Sequence, residues 1–268
     1  MKHTALRPWI FAAIGLYTVI IGAIIAWPSQ PLPEWPSNRI AWNMYASVHG
    51  VCAQVHNSGI AGQQLPLCAR NTGIYGALTL SFAAVILAGH GRRSHFPPLW
   101  QLIALLLPVL VMAVDGFNSL FVDLGWQPLY QPQNWLRTLT GAFAGISAAP
   151  LFIPVFNKVL CAVCDKRPII AHPLWIPALW GIAALFAWAT HSDLAWVYWP
   201  VAITSWLGII GILLISNTFA VAVALGYDHS VSRLWQLARP LIFGTLITSA
   251  ELAAMAWLRF GFESNGWM

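Results

Sequence analysis

The sequence predicts an all-α integral membrane protein, a bundle of about seven transmembrane helices. Only 8% of its 268 residues are Asp, Glu, Lys or Arg, whereas a water-soluble domain carries roughly 25%. These few charges lie almost entirely in short gaps between long apolar runs. Since about 20 mostly apolar residues cross a bilayer core about 30 Å thick, the runs are long enough to be membrane spans.

Seven stretches qualify as spans, and they are too long and too unalternating to be barrel strands, which leaves helices. In chain order they are residues 9–27, 72–89, 99–117, 136–160, 173–190, 195–227 and 241–260. The sixth is over-long, so we expect it to be tilted or broken near Asn217. The first has no small-residue cleavage site after it, which favours a retained anchor over a signal peptide.

The Lys and Arg residues predict the orientation, because basic residues concentrate in cytoplasmic loops. With a cytoplasmic amino terminus and an outer carboxyl terminus, nine of the 13 basic residues lie inside. These are Lys2, Arg7, Arg92, Arg93, Lys158, Lys166, Arg167, Arg233 and Arg239; Arg39, Arg70, Arg137 and Arg259 lie outside or at the outer boundary. The basic residues never form a stripe, so the net charge of +5 indicates topology and not a nucleic-acid partner. We predict a multi-pass protein of a bacterial inner membrane.

Residues 1–268 are predicted to be a single membrane domain whose longest non-spanning segment is the outer loop, residues 28–71. The loop begins with a Pro-rich linker and becomes helix-compatible at residues 40–56. We expect that helix to lie in the outer interface or to re-enter the protein.

The outer loop concentrates reactive side chains. On one helix His49, Cys52 and His56 would share a face, and Cys68 precedes the second span. Three hypotheses compete: a Cys52–Cys68 disulfide, favoured in an oxidising compartment; a metal or haem site formed by His49, Cys52, His56 and Cys68; and a pair of redox-active thiols.

The same region resembles an uncharacterised bacterial membrane family, domain-of-unknown-function family 2085. The resemblance covers about residues 45–150. The matching residues are Cys52; Cys68-Ala69-Arg70 with Thr72-Gly73-Ile74-Tyr75; Asp115-Gly116; and Arg137 with Thr140-Gly141. Ala53 and Asn71 stand where the family has His and Cys, which weakens metal binding. The resemblance implies a membrane protein and no known substrate.

Charged residues lie at the outer ends of the second, third and fourth spans. Asp115 is expected to pair with Arg70 or Arg137, because charges at such depth usually pair. The functional alternative is an outward-opening polar pocket of Arg70, Asp115, Asn118 and Arg137 that binds an anionic headgroup or a small solute through the spare arginine.

Two further features have structural and functional interpretations. Glu251 is the only acid well inside a span, where a carboxylate marks a proton or ion path or hydrogen-bonds a neighbouring helix. Cys161 and Cys164 form a Cys-x-x-Cys pair at the cytoplasmic end of the fourth span, and we expect reduced, inert thiols there.

The sequence names no reaction. It favours a non-catalytic or accessory subunit that packs in lipid against other membrane-protein subunits. The first alternative is an outer-face redox, metal-binding or haem-binding enzyme, and the second is a solute or ion transporter that uses Glu251.

Overall fold

The structure, a computed structural model, describes residues 38–52 and 54–265 together with Ala12, Gly15 and Leu16. The predicted first span and the Pro-rich linker therefore lie outside the described residues, apart from those three. The described chain is mostly helical with two small two-stranded sheets. Its elements are α1 (Arg39–Ser47), β1 (Asn57–Ile60), β2 (Gln63–Cys68), α2 (Ala69–Leu87), β3 (Arg93–His95), α3 (Leu99–Asp123), α4 (Asn134–Ile146), α5 (Ala148–Leu160), β4 (Asp165–Pro168), α6 (Trp175–Thr190), α7 (Tyr198–Ala224) and α8 (Ala238–Ser264), with 3₁₀ turns at Ala195–Val197 and Leu234–Leu237.

Four segments within the described residues are long and apolar enough to cross a membrane: Leu99–Asp123, Asn134–Leu160, Ala195–Ala224 and Leu234–Ser264. They coincide with the predicted third, fourth, sixth and seventh spans. Helices also occupy the predicted second and fifth spans, but α6 has only 16 residues and α2 begins with a polar turn. The membrane-protein class is thus supported by apolar helices, and the count of seven spans stays a prediction.

Three of the helices end on a glycine in the left-handed region. After α3, Gly125 has φ +72°, and the Trp126 and Gly125 amides donate to the carbonyls of Phe121 and Val122 over 2.7 and 3.0 Å. This Schellman pattern satisfies carbonyls that the helix end leaves unpaired. Gly89 and Gly226 end α2 and α7 with the same pattern of hydrogen bonds.

The predicted fourth span is two helices, α4 and α5, joined at Ser147. Pro150 explains the break, because its ring clashes with the carbonyl four residues earlier and it has no amide hydrogen to donate. That carbonyl, of Ile146, accepts a hydrogen bond of 2.6 Å from the Ser81 hydroxyl of α2. The Ser81 side chain thereby satisfies the carbonyl that the interrupted helix leaves unpaired.

The predicted break near Asn217 is wrong. Helix α7 runs through Asn217 without interruption for 27 residues. At 1.5 Å per residue it is about 40 Å long, so a tilt remains the expected accommodation in a core about 30 Å thick.

The outer loop also differs from expectation. Helix α1 ends at Ser47, and residues 57–68 form an antiparallel hairpin, β1–β2, that the sequence analysis did not predict. His49, Cys52 and His56 therefore do not share one helix. The hairpin turn uses positive φ at Ala61 (+51°) and Gly62 (+74°), which is the backbone that tight hairpins require.

The described residues fall into two compact units. Unit 1 contains the described residues of Met1–Ala53, Phe156–Asp165 and Ile209–Met268. Unit 2 contains Gln54–Val155 and Lys166–Gly208.

Within unit 2 the loop contacts sort into two ends. At one end the Asn134 amide donates to the Asn57 carbonyl over 3.2 Å and the Ala61 amide donates to Asp193. At the other end β3 pairs with β4, and the Arg93 guanidinium donates to the Pro168 carbonyl. In the predicted topology, successive loops lie on alternate sides of the membrane. The loops that contact each other at each end of unit 2 are loops that this topology places on the same side.

Candidate functional site

Helices α2 and α4 of unit 2 pack with their backbones in contact. A Cβ atom on Gly141 would overlap the Arg70 carbonyl oxygen, and one on Gly73 would overlap the Thr138 carbonyl oxygen. Gly145 meets the Ile74 carbonyl oxygen in the same way. Close approach of this kind needs residues without a side chain, and it brings the first turns of α2 and α4 together.

Asp115 lies at the centre of the site. It is in α3, eight residues before that helix ends, and is only 1% exposed. The third span was predicted to end at residue 117, so Asp115 is six residues deeper in its helix than expected. A carboxylate buried this completely requires partners.

The first partner is Arg70. Its Nε and Nη2 atoms lie 3.1 and 2.5 Å from Asp115 Oδ2. Nη2 also donates to the Asp115 carbonyl over 3.0 Å and to the Ser119 hydroxyl over 2.8 Å. The ion pair expected between Asp115 and one of the two arginines is therefore present, and it is made by Arg70.

Two hydroxyl groups complete the shell of the carboxylate. Tyr130 donates to Oδ1 over 2.6 Å, and Thr140 donates to Oδ2 over 3.3 Å. Burial, followed by the hydrogen bond to Asp115, raises the pKa of Tyr130 from 10.0 to about 12. The phenol therefore stays protonated and remains a donor at physiological pH.

Asn118 positions Tyr130 through hydrogen bonds to the backbone of the loop. Its side-chain oxygen accepts from the Leu129 amide over 2.7 Å, and its side-chain nitrogen donates to the Tyr130 carbonyl over 2.9 Å. The loop after α3 is thus folded back onto its own helix, one turn from Asp115.

Arg137 is the unbalanced member of the site. It is only 6% exposed, and it donates to the Asn134 side-chain oxygen over 3.0 Å and to the Ser119 hydroxyl over 3.4 Å. Among the described residues no carboxylate lies within 4.0 Å of it. Arg70, Asp115 and Arg137 therefore sum to one net positive charge, and we call these three residues with Ser119 the polar cluster.

Unsatisfied polar atoms lie beside the polar cluster. Asn134, which holds Arg137, also donates to the Asn57 carbonyl. Both polar side-chain atoms of Asn57 and the hydroxyl of Ser58 are buried without a hydrogen-bond partner in the described residues. Buried polar groups are nearly always hydrogen-bonded, so this edge of the site has capacity for a polar ligand or for water.

His49 belongs to a separate group in unit 1. Its Nε2 lies 2.8 Å from Glu263 Oε2, and its ring stacks on Phe260 at 4.2 Å. Arg259 donates to the other Glu263 oxygen over 2.9 Å and to the Cys52 carbonyl over 2.8 Å. Gly50 lets the turn after α1 approach α8 closely, because a Cβ on Gly50 would overlap Met255 of α8.

The predicted metal ligands are divided between the two units, so a metal site shared by them stays a prediction. Cys52 is in unit 1 and Cys68 ends β2 in unit 2, while His56 lies 3.6 Å from Asp123. The described residues include no group of three or more His, Cys, Asp or Glu arranged to hold a metal ion. Because Cys52 and Cys68 belong to separately described units, a disulfide between them stays a prediction.

The other cysteine pair corrects the sequence analysis. Cys161 and Cys164 are joined by a disulfide, with their Cα atoms 5.8 Å apart, whereas reduced thiols were expected. The turn after α5 brings two residues three apart within the normal Cα separation for this bond.

Glu251 has a polar partner in the neighbouring helix of unit 1. Asn217 donates to Glu251 Oε2 over 2.7 Å and to the Thr248 hydroxyl over 3.0 Å. The acid within its span thus makes an interhelical hydrogen bond, and the alternative of a proton or ion path stays a prediction.

A comparison with known families matches the part of the chain that holds this site. Residues 52–151 match the family model described as "Predicted membrane protein (DUF2085)". The matched DUF2085 segment contains the hairpin, α2, α3, α4 and every residue of the polar cluster, and it carries the Thr-Gly motifs that let α2 and α4 touch. No curated protein and no solved structure is significantly similar to the chain.

Three contributors to the site were not predicted from the sequence. Ser119 follows Asp115 by four residues and so shares its helix face, a signal that was available. Tyr130 and the orphaned Asn57 reach the site only through the folding of loops, and no local pattern marks them.

Proposed function

We propose that this is a multi-pass inner-membrane protein that binds an anionic group at the outer ends of α2, α3 and α4, in a non-catalytic, accessory role. The observation that carries the proposal is the buried guanidinium of Arg137, which has no ion pair in the described residues because the buried acid Asp115 is already committed to Arg70. A buried cation is costly unless it is paired. An anion at Arg137 would supply the missing charge.

The chemistry of the site suits a phosphate or carboxylate oxygen. Arginine is the preferred partner of such groups because its planar fork donates two parallel hydrogen bonds. Asn57, whose carbonyl accepts from Asn134, and the next residue, Ser58, add buried polar atoms without a partner in the described residues. The Arg70 side chain is 20% exposed, which gives the site contact with its surroundings. An anionic lipid headgroup and a small anionic solute share this chemistry.

The proposed orientation places the polar cluster outside the cell. It rests on the nine inner and four outer basic residues and on the grouping of loop contacts at two ends of unit 2. Seven spans, a cytoplasmic amino terminus and an outer carboxyl terminus belong to the same proposal.

An accessory role in a complex is favoured by open glycines on two helices. Cβ atoms on Gly181 of α6 and Gly211 of α7 would meet nothing within 4 Å. Small residues exposed on membrane helices allow another helix to approach closely. We propose that other membrane-protein subunits pack there.

Anion binding can be tested on purified protein in a non-ionic detergent after delipidation. Phosphatidylglycerol, phosphatidylcholine and inorganic phosphate are the three probes, read out by native mass spectrometry and by the melting temperature. We expect phosphatidylglycerol or phosphate, but not phosphatidylcholine, to bind and stabilise the protein. Preference for the lipid identifies a headgroup site, and preference for phosphate identifies a solute site.

The decisive variant is Arg137→Gln, with Arg39→Gln as the matched control because Arg39 is an exposed arginine of the same predicted side. A charge-assisted hydrogen bond contributes about 1.5–3 kcal/mol, so Arg137→Gln should weaken binding about tenfold or more. Arg39→Gln should bind normally. Equal binding by the folded Arg137→Gln protein would overturn the proposal.

A further inference from the structure

The Cys161–Cys164 disulfide closes a very short loop at the end of α5. A disulfide stabilises a fold mainly by restricting the unfolded chain, and the effect grows with the length of the loop that it closes. Only two residues, Ala162 and Val163, lie between these cysteines. As a structural staple the bond is therefore placed where it stabilises least.

The surrounding backbone is held without the disulfide. The Ala162 amide donates to the Val231 carbonyl, the Val231 amide to the Leu160 carbonyl, and the His229 amide to the Val159 carbonyl, each over 2.9 Å. Leu160 and Val231 are also buried together with Ala222 in one apolar cluster. Opening the sulfur–sulfur bond would leave these contacts intact.

The loop is accessible to small molecules. Val163 is 74% exposed and Ala162 is exposed, while both cysteines are partly exposed. Lys158 precedes the pair by three residues, and Asp165, Lys166 and Arg167 follow it directly, so the flanking sequence carries two net positive charges. Positive charge near a cysteine favours the thiolate, which is the reactive form in disulfide exchange.

We propose that Cys161 and Cys164 form a reversible dithiol–disulfide site that exchanges with low-molecular-weight thiols. One external thiolate attacks a sulfur of the pair, which makes a mixed disulfide and releases the other cysteine as a thiolate. A second external thiol then attacks the mixed disulfide. In total, the protein disulfide and two thiols become a protein dithiol and one external disulfide, with two electrons transferred.

The site does not depend on the anion site. On the orientation proposed above, the loop faces the cytoplasm, where disulfides are mostly transient and catalytic or redox-sensing. The exchange chemistry itself requires only access to a thiol, so it can be measured on protein in detergent whatever its orientation.

The sequence offers a clean readout, because trypsin cleaves after Lys158 and Lys166 and releases both cysteines in one peptide, residues 159–166. The full chain is equilibrated in glutathione buffers, quenched with acid, alkylated and analysed by mass spectrometry, while tryptophan fluorescence monitors the fold. Cys52 and Cys68 fall in another peptide and do not interfere.

We expect a reversible, two-electron transition with the fold retained. We vary the ratio of the squared glutathione concentration to the glutathione disulfide concentration. The reduced fraction of the pair should rise from about one tenth to about nine tenths as this ratio increases roughly a hundredfold. The Cys161→Ser variant should trap the mixed disulfide with glutathione on Cys164. A pair that stays oxidised until the protein unfolds, or that stays reduced in glutathione disulfide, would overturn the proposal.

Discussion

The phenol of Tyr130 donates a hydrogen bond of 2.6 Å to Asp115 Oδ1, while Arg70 holds Oδ2 of the same carboxylate. One buried acid is thus shared by a loop residue and by the first turn of another helix. The stability of this end of unit 2 should depend on Asp115 more than on any exposed acid of the same helix.

Replacing Asp115 by Asn should strongly destabilise the protein. The change leaves the partly exposed Arg70 and the buried Arg137 without the buried carboxylate, and breaking a buried pair costs about 3–5 kcal/mol. Thermal unfolding in detergent is the measurement. The control is Asp123→Asn in the same helix, whose side chain is 55% exposed and whose removal should cost less than about 1 kcal/mol. Similar losses in the two variants would contradict the assignment.

Replacing Tyr130 by Phe should cost about 1.5–3 kcal/mol in a pH-dependent way. The pKa of Tyr130 rises to about 12 in the folded protein, so folding favours the protonated phenol. Its contribution is complete below pH 10, the ordinary pKa of tyrosine, and disappears as the pH rises from 10 to 12. The difference in unfolding free energy between the wild type and the variant should therefore shrink over this range. A difference that stays constant up to pH 12 would argue against the hydrogen bond.

Gly141→Ala should disrupt the contact between α2 and α4. Its Cβ would overlap the Arg70 carbonyl oxygen, so the helices must separate and the polar cluster with them. Gly181→Ala is the matched control, since its Cβ meets nothing within 4 Å and alanine is favoured over glycine in a helix by about 1 kcal/mol. We expect the melting temperature to fall in the first variant and to hold or rise in the second. The reverse order would rule out the close packing.

The hydrogen bond between Asn217 and Glu251 is open to a double-mutant cycle. Asn217→Ala, Glu251→Ala and the double variant should show a coupling of about 0.6 kcal/mol, the average for polar pairs between membrane helices. Unfolding in mixed micelles supplies the free energies. If the coupling is absent while Glu251→Ala removes an ion-dependent transport activity in vesicles, Glu251 serves transport and not architecture.

The proposed orientation predicts that the hairpin turn is outside the cell. Gly62 is exposed and a Cβ there would meet nothing within 4 Å, so a short epitope inserted there should be tolerated and should be labelled in intact cells. An epitope inserted after Arg92 is the inside control and should be labelled only after permeabilisation. Labelling of the second and not of the first would reverse the topology.

Local sequence was sufficient for the helices. Long apolar runs predicted the third, sixth and seventh spans, because a helix is the structure that satisfies its own backbone in lipid. Local sequence was not sufficient to predict the break at Ser147, although Pro150 is present in the sequence. The interrupted helix is tolerated because Ser81 of another helix donates a hydrogen bond to the freed Ile146 carbonyl.

The sequence by itself determined the class of protein, the positions of most helices and the charged residues Arg70, Asp115 and Arg137, because hydropathy and charge act residue by residue. Only the tertiary structure decided that Asp115 pairs with Arg70, that Arg137 keeps an unbalanced charge, and that Cys161 bonds to Cys164. Each of these outcomes depends on distances between atoms that are brought together by packing, and a linear pattern does not encode those distances.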